Sequence, residues 1–298
     1  MLSGAAVGLV AARAASAQPA RLTAAPARPQ PGAIVRLTLL DRAASDSIVS
    51  ILGSLAGEPL HFARAGKGSW HAIGGVPTNA EGRVNARAIV ARASGAVDTL
   101  RVAMILPPIP KIKSEPLAVD SSFSRPIDSA TSARIARENA RAREVGRRSH
   151  DSPALWTAAF LRPRTSRVTS VFGSGRVFNG AVTSRHFGID YAGAVGEPIL
   201  AANNGVVALV DSFFLAGHVV YIDHGAGVVT GYFHMSEQLV AVGDSVTRGQ
   251  EIGRVGKTGR VTGPHLHWSA RYGTVTVNPG DLLTLDRAWY SGARLTPR

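Results

Sequence analysis

The chain contains no cysteine, which removes disulfide scaffolds and every zinc site built from thiolates. Aromatic residues are scarce, at 6%, and no RNA- or DNA-binding signature accompanies the basic residues, so a nucleic-acid partner is excluded from the reading. No apolar run approaches the roughly 20 residues that cross a bilayer, so no stable membrane span is expected. What remains is ample for a globular protein. With 298 residues, 45% of them hydrophobic, and 32 glycines, the chain can bury a full core and is expected to divide into two domains.

Net charge is +13, and its distribution is informative. Residues 1–150 carry 20 Lys+Arg against 10 Asp+Glu, whereas residues 151–298 carry 13 against 10. The excess therefore lies in the N-terminal half, where it suits attraction to an anionic cell wall or a solvated surface. Residues 1–17 are small and mostly apolar and close on Ala15-Ser16-Ala17, as an export signal with an A-x-A cleavage site does. The expected location is outside the cytoplasm, in the periplasm or cell envelope.

The fold class expected is mainly β. Residues 18–32 are Pro/Ala-rich and read as a linker. Over 33–106, some six short apolar runs alternate with turn signals such as Gly57-Glu58-Pro59 and Gly66-Lys67-Gly68, the spacing of an all-β sandwich, and the module resembles an immunoglobulin-like domain. Residues 107–155 read as a connector. Its PPIPKIKSEPL segment (107–117) is too proline-rich for regular structure, and a helix is expected at about 131–145, capped by Thr131 or Ser132 and ending near Gly146. From 156 to 285 the pattern is again strand-rich with glycine at the joins, predicting an antiparallel sheet with a groove across one face. Residues 286–298 read as a C-terminal tail.

Five polar residues of this second domain stand out: His186 and Asp190 in RHFGID, His234 in GYFHMS, and His265 and His267 in GPHLHW. Three of them can supply neutral imidazoles and a carboxylate to one Zn²⁺. A surplus of two suits a catalytic site, which holds the metal by three protein ligands and keeps a fourth position for water. On a strand, His265 and His267 face the same side while Leu266 and Trp268 face the other. His186 and Asp190 would lie roughly 13 Å apart on a straight strand, so the chain must bend between them, most cheaply at Gly188. Tyr232, two places before His234, is expected on the same face. His224, at a glycine-flanked turn, reads as structural or as support for a site residue, His61 and His71 as packed or surface residues, and His218 as incidental.

These motifs resemble those of the lysostaphin/LytM-type zinc endopeptidases of peptidoglycan. The resemblance covers roughly 160–285 and extends to RVTSVFGSGRVFNG, PILAANNGVVALV, VGDSVTRGQEIGRVGKTG and VNPGDLL, in family order. It implies one zinc ion per chain held by His186, Asp190 and His267, with His234 and His265 as the catalytic pair. Which imidazole acts as base stays open. Arg176, Asn179 and Tyr232 are candidate substrate contacts. The implied partner is peptidoglycan, cut at D-alanyl–diaminopimelate bonds or alternatively glycyl–glycine bonds, and the N-terminal module is the place for an envelope-protein partner. The alternative of another class is a non-catalytic wall-binding or amidase-regulating protein on the same fold.

Overall fold

The computed structural model describes residues 20–41, 46–108, 114–120, 127–178, 180 and 182–285. The expected signal segment 1–17, the tail 286–298 and Asn179 lie outside these residues. The described chain is mainly β.

The N-terminal module is a β-sandwich of two four-stranded antiparallel sheets. One runs in the order Arg21–Ala25, Ile34–Leu40, Ser69–Gly75, Ala63–Gly66, and the other Glu58–Leu60, Ile48–Leu55, Arg83–Arg92, Val97–Ile105. Alternation puts Leu37, Leu39, Ala86, Ala88 and Val90 between the sheets with no exposed surface, as period-two side-chain direction requires. The first strand corrects the linker expected over 18–32. Residues 21–25 pair with residues 36–40, and Leu22 is buried in the sandwich.

Two further corrections concern the connector. Ser114–Leu117, read as irregular, is a strand paired in parallel with Gly175–Phe178. It is the edge of a three-stranded sheet, the place where Pro116 is tolerated because only one side pairs. The helix runs Ser129–Arg148 rather than 131–145, and its cap is Asp128, whose carboxylate accepts from the Thr131 N–H at 2.7 Å. Gly146 does not stop it. A Cβ there would sit 1.9 Å from the Gly273 carbonyl oxygen, so glycine serves close approach of the helix to the second domain. On the same face Glu138 is buried and accepts from the Phe214 N–H at 2.9 Å.

The C-terminal domain is built on a ten-stranded sheet whose main path is Val168–Ser170, Ile189–Ala192, His265–Tyr272, Val228–Gln238, Gly217–Asp223, Gly205–Phe213, Ser245–Val246. Pairs along it are antiparallel. Leu266, Trp268, Tyr232, Ile222 and Ile252 fill its core with no exposed surface, each burial being worth about 1.5–3 kcal/mol for an aliphatic or aromatic side chain. A hairpin, Gly175–Phe178 with Val182–Arg185, stands beside the uncovered face and makes one wall of a groove.

Direct bonds join the two domains. Asp281 accepts from the Ile34 N–H at 2.8 Å, and the Asn278 N–H donates to Gly32 O at 2.7 Å. Glu58, His150 and His61 form a chain of contacts at 2.9 and 2.8 Å, and the Tyr272 hydroxyl donates to Pro59 O at 2.7 Å.

Candidate metal centre

His265–Tyr272 is the middle of the site. Its neighbour Ile189–Ala192 places Asp190 directly opposite His267, while Leu266 and Trp268 turn into the core. His186 enters from the hairpin side through the Phe187-Gly188 bend. A Cβ on Gly188 would lie 2.4 Å from His267 Nε2 and 2.6 Å from the Trp268 carbonyl oxygen. Glycine is required there for space against His267, which the bending argument alone did not reveal.

The result is a triangle of ligand atoms. His186 Nε2, Asp190 Oδ1 and His267 Nδ1 are each 2.9 Å from the other two, and they form a cluster able to hold a metal ion. Three ligands of tetrahedral zinc at about 2.0–2.1 Å are about 3.3 Å apart, a modest expansion of this triangle. The proton positions agree with such a use. His186 Nδ1 is 2.9 Å from Val171 O, and a carbonyl can only accept, so the proton sits on Nδ1 and the lone pair of Nε2 points at the carboxylate oxygen. A lone pair and a carboxylate brought that close need a proton or a cation between them. The donor set, one carboxylate and two imidazoles, is one that zinc takes.

Ionisation follows the same logic. Burial opposes the charge on Asp190, but the adjoining His186 and His267 imidazoles outweigh it and hold the carboxyl far below the usual range. Burial drives His267 down to about 4 against the pull of Asp190. An anionic carboxylate beside a neutral imidazole is the protonation state in which such groups bind metal.

The other two histidines share one construction. His234 Nδ1 donates to Thr258 O and His265 Nδ1 to Gly263 O, both at 2.8 Å. Each ring therefore presents a lone-pair Nε2. Their centroids are 4.9 Å apart. His265 Nε2 is buried with no hydrogen-bond partner among the described residues and lies 3.7 Å from Asp190 Oδ2. A buried acceptor left unsatisfied costs about 1–3 kcal/mol, and such an atom is characteristic of a working site. Burial, then the charges of His265 and His267, hold His234 well below the ordinary histidine value.

His234 reaches this face by breaking the strand. Its φ is +62°, in the left-handed region that costs a non-glycine residue of order 1 kcal/mol or more. The pairing of Val228–Gln238 with Gly217–Asp223 shifts register at this point. This bulge corrects the expectation for Tyr232. It does not share a face with His234; it is fully buried, and its hydroxyl accepts from the Ala202 N–H at 2.8 Å and sits 3.0 Å from that of Thr230. Tyr232 is thus held in the core, away from the groove. His224 occupies the same buried network, 2.8 Å from Thr230 Oγ1 and 2.7 Å from Asn204 O.

Arg176 lies on the hairpin and donates to Asp190 Oδ2 and, at 3.0 Å, to Ser170 Oγ. It braces the carboxylate oxygen that His186 and His267 leave free. Two residues went unnoticed in the sequence. Phe233 stacks on His267 with centroids 5.1 Å apart and planes 12° from parallel. Arg260, in GKTGRVTG, lines the groove on both sides of the centre. Of the apolar loop around Phe214, Phe213 packs in the core and Leu215 lines the groove.

Residues 184–279, which contain all five site residues, match the model of Peptidase family M23. The C-terminal domain belongs to that family. The M23 domain and the module before it together resemble a putative peptidase M23 from Pseudomonas aeruginosa, with 27% identity, a TM-score of 0.64, and coverage of 86% of this chain and 95% of that one. Among curated proteins the chain is similar to the peptidoglycan DD-endopeptidases ShyC and ShyA of Vibrio cholerae. It is 42% identical to the first over 125 residues and 44% to the second over 105. These matches cover 41% and 34% of this chain but only 29% and 24% of those proteins. The chain therefore spans about a quarter of the curated relatives' length.

Proposed function

We propose that this protein is a zinc-dependent endopeptidase of bacterial peptidoglycan, cutting the D-alanyl–diaminopimelate bonds that crosslink stem peptides and working outside the cytoplasm. The observation that carries the reading is the triangle of His186, Asp190 and His267 with the unpartnered Nε2 of His265 beside it. The similarity to DD-endopeptidases supports the substrate class.

His186, Asp190 and His267 would hold one zinc ion, which when bound polarises a peptide carbonyl and acidifies water. The remaining steps belong to the chain. His265, with its Nδ1 proton pinned to Gly263 O, has Nε2 free to take a proton from the attacking water and return one to the leaving amine. His234, pinned to Thr258 O, faces the same space with a bare Nε2 and would be the second imidazole able to accept and pass on a proton beside the reacting carbonyl. Arg176 keeps Asp190 charged and oriented, and Phe233 fixes the plane of the His267 ring. Replacing His267 by Ala tests the assignment: zinc retention and cleavage of purified sacculi should disappear together, and cleavage that continues in the variant would overturn it.

A further inference from the structure

The charged side chains that line the groove beside the centre are almost all positive. Its two segments, about 290 and 310 Å³, carry Arg167, Arg176, Arg185, Arg260 and Arg271, and among the described residues their only carboxylate is Asp190. That carboxylate is already committed to His186, His267 and Arg176. Any ligand entering the groove meets cationic walls with no acid to offset them.

One of these arginines differs from the rest. Three other half-buried arginines are each matched with an acid, Arg92 with Asp41, Arg164 with Glu197 and Arg176 with Asp190, and Arg271, which has no acid, donates to the Thr274 carbonyl at 2.8 Å. Arg260 is half-buried, and among the described residues its guanidinium has no carboxylate and no hydrogen-bond acceptor. Its partner is the face of Phe178, 4.1 Å from the ring centroid. A cation on an aromatic face recovers about 0.5–2 kcal/mol, but the donors around the edge of the guanidinium are left unused. Burial and the nearby charge of Arg176 both disfavour its protonated form. A guanidinium held over a ring with its N–H donors unused can make two parallel hydrogen bonds to a carboxylate. The backbone holds it in place, since the Arg260 N–H donates to Leu215 O at 2.9 Å. Because Arg260 borders both groove segments, it stands next to the reacting bond rather than at a distant end.

We infer that Arg260 is a specificity-determining residue that binds a free carboxylate on the substrate residue flanking the bond to be cut. This rests on the endopeptidase reading above and narrows it. Substrates bearing that carboxylate are selected over the same peptides with the group amidated, because the amide cannot accept in both positions and leaves the guanidinium charge uncompensated.

The test uses the full chain and two crosslinked muropeptide dimers that differ only in whether this carboxylate is free or amidated. Turnover is followed on the zinc-loaded protein, and binding by calorimetry on metal-stripped protein, which does not consume the ligand. Wild type should prefer the free acid by about 10- to 100-fold in kcat/KM and in affinity, the loss expected for a charged hydrogen-bonded pair. Arg260→Gln should bring that preference to near parity, and Arg260→Lys, which keeps the charge but not the fork, should restore part of it. An unchanged preference in Arg260→Gln, or no preference in wild type, overturns the inference. Wild type that binds with this preference but cuts neither dimer supports Arg260 while refuting the hydrolase assignment, so the two failures are separable.

Discussion

Replacing Gly188 by Ala should empty the metal centre while leaving the fold in place. The added Cβ would lie 2.4 Å from His267 Nε2, 2.5 Å from its Cε1 and 2.6 Å from the Trp268 carbonyl oxygen, against an ordinary contact of 3.4–4 Å. The carbonyl belongs to a central strand and cannot move, so the imidazole must yield by about 1 Å. Metal ligands tolerate about 0.2 Å of misplacement, so His267 Nδ1 leaves the triangle it forms with His186 and Asp190. Outer-shell disruptions of this kind cost about 10- to 100-fold in metal affinity, and displacement of a ligand itself should reach the upper end. Folding should suffer only the 1–3 kcal/mol typical of overpacking. The assay is competition for zinc against a chromophoric chelator, paired with thermal unfolding of the metal-stripped protein. An affinity within about threefold of wild type (under 1 kcal/mol) would show that the close packing of Gly188 on His267 does not position the ligand, and the reasoning would fail.

Two other outcomes follow from the geometry. His265→Ala should keep its zinc yet lose about 10²–10⁴-fold in turnover, the range for a general acid–base; loss of zinc, measured by elemental analysis, would instead make His265 a ligand. His224 titrates at about 4 rather than 6.5, because burial penalises its charged form. The unfolded chain therefore takes up a proton that the folded one refuses. The stability this histidine contributes is complete above pH 6.5, declines as pH falls and is gone by about pH 4, a loss of about 3 kcal/mol. Thermal unfolding across that interval should show a shallower decline for His224→Gln than for wild type, and parallel curves would contradict the assignment.

Much of the site was legible because its key spacing is local. HLH on a strand brings two imidazoles to one face whatever surrounds it, and Leu266 and Trp268 mark the buried side. The separation of His186 and Asp190 likewise demands a bend in any β structure. What the alternation rule could not convey is the bulge at His234: a single residue at φ +62° reverses the face, sends His234 to the groove and leaves Tyr232 inside. The role of Gly188 was hidden for a related reason, since the atom it makes room for is nearly 80 positions away. Composition misled over 18–32, where prolines suggested a linker although residues 21–25 have strand partners at 36–40. Arg260 carried no signal by itself, because a half-buried arginine is unusual only when its neighbours prove to hold no acid.

Zinc binding and cleavage are expected to be one property of one site. Incubating the purified chain with sacculi of known composition, with and without chelator and zinc restoration, and identifying new termini by mass spectrometry measures this. One zinc per chain, with new D-alanyl carboxyl and diaminopimelyl amino termini that vanish on chelation and return with zinc, is the expected result. Termini that form equally well in metal-stripped protein, or a zinc-loaded chain that forms none, would contradict it.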